Sequence, residues 1–142
     1  MAGKSRSNSW NTAILYACVA AGGMLGSVAR YLVSLLIPSL LALPLATLFV
    51  NVTGSFVIGF YSTLSGPDGR LFASTRQRQF VMTGFCGGYT TFSAFSLETF
   101  RLLHGGKAGT AFVYIAASVV TWLVAVWLGH RLARRLNRLK GS

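Results

Sequence analysis

The sequence predicts an all-α integral membrane protein, one domain over residues 1–142, with four transmembrane helices and a break in the third. Three observations predict it. Of the residues, 53% are hydrophobic and only 11% charged, with a mean hydropathy of +0.57, too apolar for a soluble domain of 142 residues. Four segments, 14–37, 45–64, 80–103 and 108–128, approach or exceed the roughly 20 apolar residues that a hydrocarbon core of about 30 Å requires of a helix. The third carries "GFCGGYTTFSAFSLE" at 84–98, where adjacent glycines, hydroxyls and a carboxylate interrupt the apolar run.

The first span, Ile14–Ile37, follows Lys4 and Arg6 as a signal peptide would, and "LYAC" at 15–18 faintly resembles a lipoprotein cleavage site. Its tyrosine does not fit that pattern, and the run continues well past Cys18, longer than a signal core, so it reads as a mature membrane helix. Gly22 and Gly26 form a small-xxx-small pair suited to close helix approach, as do Gly54, Ser55 and Gly59 on the second span, Leu45–Leu64. "NVT" at 51–53 matches a glycosylation acceptor but lies inside that span. Gly66, Pro67 and Gly69 make a turn of the 65–79 connection, and "HGGK" at 104–107 makes the third and fourth helices antiparallel neighbours. Cys18 and Cys86 fall in different spans and form no metal or redox spacing with His104 or His130.

Charge sets the orientation. Lys4, Arg6, Arg70, Arg76, Arg78, Arg131, Arg134, Arg135, Arg138 and Lys140 lie on one side of the predicted spans, whereas only Arg101 and Lys107 lie on the other. Ten against two places both termini in the cytoplasm by the positive-inside rule. The net charge of +11 is spread over loops and a tail flanking the spans, which argues against nucleic acid and reads the tail "HRLARRLNRLK" as a juxtamembrane segment against anionic headgroups of the bilayer. With two acidic residues and no His/Cys/Asp cluster, no enzyme chemistry is visible.

Polar groups at membrane depth carry the functional signal. Arg30 and Glu98 either pair with each other or snorkel from span ends; a cation at Arg30 would also concentrate an anion in a vestibule. Asn51, with Ser55 one turn on, is either interhelical glue or a donor on an anion pathway. Tyr114, Ser118 and Thr121 set three hydroxyls along one stripe of the fourth span. Gly87-Gly88-Tyr89-Thr90-Thr91 is poor helix material, so the helix is expected to break there, freeing carbonyls for a small hard cation and N–H groups for an anion. Phe92 and Phe95 share a face beyond the break. By base rate such a pair is packing; presented edge-on to a dry passage, the rings would stabilise a dehydrated anion, with Ser93, Ser96 and Asn51 replacing water.

In "GGMLGSVARY", "TLFVNVTGSFVIGF" and "GFCGGYTTFSAFSLET", over nearly the whole chain, the sequence resembles the small bacterial fluoride channels, the Fluc or CrcB proteins. The resemblance implies a four-helix subunit of the bacterial inner membrane that assembles as an antiparallel dual-topology dimer with two fluoride pathways. It implies that Phe92 and Phe95 are the pore phenylalanines, Asn51 the pore asparagine, Arg30 the vestibular cation, and Ser93, Tyr114 and Ser118 parts of a polar track. Gly87 and Thr90 would give backbone carbonyls to a structural sodium ion at the dimer interface. Glu98 matches a family carboxylate to which no role is assigned, and Ala94 stands where many relatives have threonine, removing one hydroxyl of the track. A dual-topology protein should also have nearly balanced basic residues; ten against two suits a subunit of fixed orientation, so the expected dimer is either an antiparallel homodimer or a heterodimer with an oppositely inserted homologue.

The function expected is therefore passive, fluoride-selective efflux giving fluoride resistance. Rival readings are a proton-coupled exporter of the small multidrug type, for which Glu98 is the sole candidate carboxylate, a non-conducting subunit of a heterodimeric channel, and a structural adaptor. The costly polar backbone of the third span argues against the last.

Overall fold

A computed structural model describes residues 2–37, 44–67 and 69–138, with side chains from Trp10 onward. Residues 38–43, Lys140 and the side chains of Lys4 and Arg6 lie outside that description. The described chain is all helical: α1 (Ala2–Leu36), α2 (Leu45–Leu64), the single turn α3 (Thr75–Arg78), a π-helical stretch Gln79–Cys86, α4 (Gly87–Tyr89), α5 (Phe92–His104) and α6 (Ala108–Arg138).

Three of these helices are long and apolar enough to cross a membrane: Trp10–Leu36 of α1, all of α2, and α6. Little of each is covered by the rest of the chain, and Leu25, Val28, Leu32 and Leu35 of α1 and Phe112, Val120 and Leu123 of α6 stand exposed. Such continuous apolar faces belong against lipid or another chain. The 80–103 segment is divided instead. Its longest piece, α5, has 13 residues, about 20 Å at 1.5 Å per residue and short of the hydrocarbon thickness by itself.

Helix packing follows the small residues. α1 runs along the π-helical stretch and α4, and α2 along α6. A Cβ on Gly22 would collide with the Phe80 carbonyl oxygen, and one on Gly26 with the Phe85 carbonyl oxygen, so this pair sets the backbone-to-backbone approach. Gly59 and Gly129 do the same between α2 and α6, against the carbonyls of Val126 and Phe56.

The helices overrun the predicted spans. α1 begins at Ala2 rather than near residue 14, and α6 continues to Arg138 rather than ending near 128. Hydropathy marks only the stretch suited to lipid, while intrahelical hydrogen bonds continue into water where nothing breaks them. The 65–79 connection, expected as a turn, also contains α3, started by a capping box in which Ser74 Oγ accepts from Gln77 N and the Gln77 side chain accepts from Ser74 N.

Candidate functional site

The site is organised by two residues that leave the helix. Thr90 has ψ 159° and Thr91 has φ −151°, ψ 122°, both extended, between α4 and α5. An extended pair inside an apolar fold needs partners for its backbone, and Asn51 of α2 supplies them. Its Oδ1 accepts from Thr91 N at 2.8 Å and its Nδ2 donates to Thr91 O at 2.9 Å. Both residues are buried, Asn51 at 5% and Thr91 at 8% exposure. Thr91 Oγ1 then caps α5 by accepting from Ala94 N at 3.2 Å, and lies 3.1 Å from Ser93 Oγ.

These bonds divert donors from two carbonyls. In a continuous helix the Gly87 carbonyl would accept from Thr91 N and the Thr90 carbonyl from Ala94 N. The first donor goes to Asn51 and the second to Thr91 Oγ1. A Cβ on Gly87 would meet nothing within 4 Å, and Gly87, Thr90, Thr91, Asn51, Phe92 and Trp122 line a cavity of about 600 Å³. Hard oxygen donors beside open space are the ligand type a sodium ion uses, so these residues fit the ion suggested by the sequence.

The two phenylalanines have different surroundings. Phe92 is 71% exposed, whereas Phe95 is 7% exposed, their ring centroids 5.5 Å apart and tilted by 47°. Phe95 sits between Tyr114 (5.3 Å, 43°) and Trp122 (5.0 Å, 72°) of α6, the second an edge-to-face contact. Beside it the buried Trp122 Nε1 has no hydrogen-bond partner among the described residues, and one helical turn before it the Ser118 hydroxyl faces the Tyr114 oxygen. A buried donor without a partner costs about 1–3 kcal/mol, so the Trp122 N–H is a place for an acceptor from outside the chain.

Tyr114 and Glu98 belong to a different network. Tyr114 OH donates to Glu98 Oε2 at 2.8 Å and Thr47 Oγ1 donates to Oε1 at 2.7 Å, so each carboxylate oxygen is held by a hydroxyl. The Tyr114 proton is thereby committed, and its oxygen is left as an acceptor. Thr121, third hydroxyl of the predicted stripe, turns back to the Ala117 and Ser118 carbonyls.

Arg30 lines a second cavity of about 360 Å³ with Ser27, Thr47, Thr91, Ala94 and Glu98. Among the described residues no ion pair joins Arg30 to Glu98, which corrects that alternative: the carboxylate's hydrogen bonds come from hydroxyls of α2 and α6. Thr91 lines both cavities. The structure thus gathers Asn51, Gly87, Thr90 and Phe92 at one cavity and sets Arg30 at the other. Phe95, Tyr114 and Ser118 are buried beside them, and Ser93 is exposed at the start of α5.

Sequence reasoning missed Thr47, Thr91 and Trp122. Thr47 lies four residues before Asn51 and Trp122 four after Ser118, so both extend stripes already visible, and that spacing was the available signal. Thr91 was read only as part of a weak helix.

The family model described as CrcB-like protein, Camphor Resistance (CrcB), matches residues 17–130. A Bradyrhizobium diazoefficiens protein named Fluoride-specific ion channel FluC 1 is 62% identical over 138 residues, covering 97% of this chain and 97% of the relative. One of the same name from Rhodopseudomonas palustris is 67% identical over 132 residues, covering 92% and 94%. A Fluoride-specific ion channel FluC from Opitutus terrae is 52% identical over 130 residues, covering 90% and 98%.

Proposed function

The chain belongs to the CrcB-like family, and on that premise we propose that it is a fluoride-selective channel that lets cytoplasmic fluoride leave by passive permeation. Its work is transport, and no enzymatic step is required. The observation that carries the reading is the Asn51 amide bracketing Thr91, which holds a backbone break open immediately before Phe92 and Phe95.

Fluoride is small and strongly hydrated, so a selective pathway must replace its water with fixed donors and positive ring edges while excluding larger anions. Arg30 draws the anion into the cavity it shares with Thr91. Past the break, the aromatic edges of Phe92 and Phe95, the unpartnered Trp122 Nε1 and the Ser118 hydroxyl supply the dry part of the passage. Ser93 Oγ hands the ion between them, and Tyr114 positions Glu98 and Phe95. On this reading the segment 80–103 is a fourth, broken span. The exposure of Phe92 and of the apolar helix faces leaves room for a second chain that completes each pathway, and the resemblance to the family makes that an antiparallel, dual-topology dimer.

The Gly87 and Thr90 carbonyls would hold a structural sodium ion at that interface. The ion would neutralise the partial negative charge of carbonyls that have lost their helical donors and tie the two chains together. Replacing sodium by N-methylglucamine should lower the thermal midpoint of the assembled protein; an unchanged midpoint would remove the sodium from this account.

The multi-pass chain would sit in the bacterial inner membrane with both termini cytoplasmic. The ten-to-two distribution of basic residues favours an oppositely inserted homologue over a second copy as partner. Expressing the chain alone and measuring fluoride efflux from liposomes tests this. Full activity from the chain alone would establish a homodimer; restoration only with an oppositely oriented homologue would establish the heterodimer.

A further inference from the structure

The C-terminal end of α6 carries a second arrangement that the proposed permeation pathway does not use. Beyond the apolar part of the helix, Arg131, Arg134, Arg135 and Arg138 line a cavity of about 610 Å³ together with Trp127 and His130. The guanidinium of Arg131 lies over the Trp127 ring, 4.5 Å from its centroid. Adjoining it is a cavity of about 350 Å³ whose other walls are Phe56, Leu128 and Leu132, and the two share Trp127, Arg131 and Arg135. Polarity therefore changes from cationic to apolar over two turns, in the direction that leads from the headgroup region into the hydrocarbon.

This end of α6 is anchored. Asn137 Nδ2 donates to Thr63 O at 3.2 Å, Arg70 N donates to Asn137 Oδ1 at 3.0 Å, and Arg70 Nη1 donates to Leu136 O at 3.2 Å. Thr63 Oγ1 and His130 Nδ1 are 2.7 Å apart, and Gly129 and Ala133 are buried against the body. One face is thus fixed to the end of α2 and the turn after it, and the four arginines are presented together on the other. Four like charges repel one another, and a chain with two acidic residues in total has few carboxylates to balance them.

We propose that the two cavities form one binding site for an anionic phospholipid, its phosphate among Arg131, Arg134, Arg135 and Arg138 and an acyl chain along Phe56, Leu128 and Leu132. Guanidinium forks suit phosphate oxygens, and Trp127 stands at the boundary where an indole prefers to lie. A lipid held here would fasten the basic end of the helix to the leaflet that carries anionic headgroups.

The test uses the full chain with Trp127 as its remaining tryptophan (Trp10→Phe, Trp122→Phe), in phosphatidylcholine vesicles doped with phosphatidylglycerol brominated on its acyl chains. Trp127 fluorescence should be quenched at a low mole fraction of brominated phosphatidylglycerol and only weakly by brominated phosphatidylcholine. Arg134→Gln with Arg138→Gln should weaken the preference by about 30-fold, two basic contacts' worth. Lys4→Gln with Arg6→Gln removes the same charge elsewhere and should leave it within about twofold. Millimolar inorganic phosphate should not displace the lipid. Equal quenching by the two lipids, equal loss in the two double variants, or displacement by phosphate would each overturn the proposal.

Discussion

Replacing Asn51 by alanine tests the bracket on which the pathway rests. The substitution removes both bonds to Thr91 and leaves a buried N–H and a buried carbonyl without their partner. An orphaned buried group costs about 1–3 kcal/mol, and side-chain bonds inside membranes fall toward the low end of such ranges, so the pair is worth about 2–4 kcal/mol. The freed Thr91 N–H has an alternative in the Gly87 carbonyl four residues back, so the backbone gains a route to a continuous helix. At tenfold per 1.4 kcal/mol, the open break should become about 30-fold to several hundred-fold less populated. Fluoride efflux from liposomes should fall by that factor, and the thermal midpoint followed by tryptophan fluorescence should fall with it. Asn51→Ala with unchanged efflux would refute the argument. Lost efflux with an unchanged midpoint would refute it too, because the amide would then serve the ion rather than the backbone.

Three further outcomes are expected. Trp122→Phe keeps an aromatic ring beside Phe95 but deletes the unpartnered Nε1 donor, so fluoride efflux should fall roughly tenfold with folding intact, and an unchanged rate would remove Trp122 from the pathway. Gly26→Ala drives a methyl into the Phe85 carbonyl and the Tyr89 amide and should cost about 1–3 kcal/mol, seen as lost monodisperse yield in size-exclusion chromatography; Gly23→Ala, whose nearest neighbour would be 3.9 Å away, should behave like the parent. Glu98→Gln leaves one of the Thr47 and Tyr114 hydroxyls facing an NH₂ donor, so the midpoint should fall while fluoride still permeates without a pH gradient; transport abolished together with any proton coupling would instead favour an exporter.

Much of this site was visible in the sequence because the membrane makes polar residues conspicuous. Asn51, Arg30 and the Gly87–Thr91 stretch stand out against apolar neighbours, since each would be costly in lipid unless something satisfied it. What satisfied it was not legible. Asn51 bonds to Thr91, forty positions away, and Glu98 to Thr47 and Tyr114 on two other helices, pairings that only the packing of α2, α5 and α6 decides. Spacing placed Tyr114, Ser118 and Thr121 on one stripe but gave no sign that Tyr114 would be engaged by Glu98 and Thr121 by its own helix. Helix ends were the least legible feature, because hydropathy reports the lipid-facing length and not where hydrogen bonding stops, as the run of α6 to Arg138 illustrates.

The central claim is a fluoride pathway past Phe92 and Phe95. Its most direct test is fluoride-electrode efflux from liposomes containing the protein purified from its own host with its natural partner retained, with chloride and Phe92→Ala as comparators. Fast fluoride efflux with little chloride, abolished in the variant, is the predicted result. Folded, assembled protein that releases fluoride no faster than empty liposomes, or fluoride and chloride equally, would contradict it.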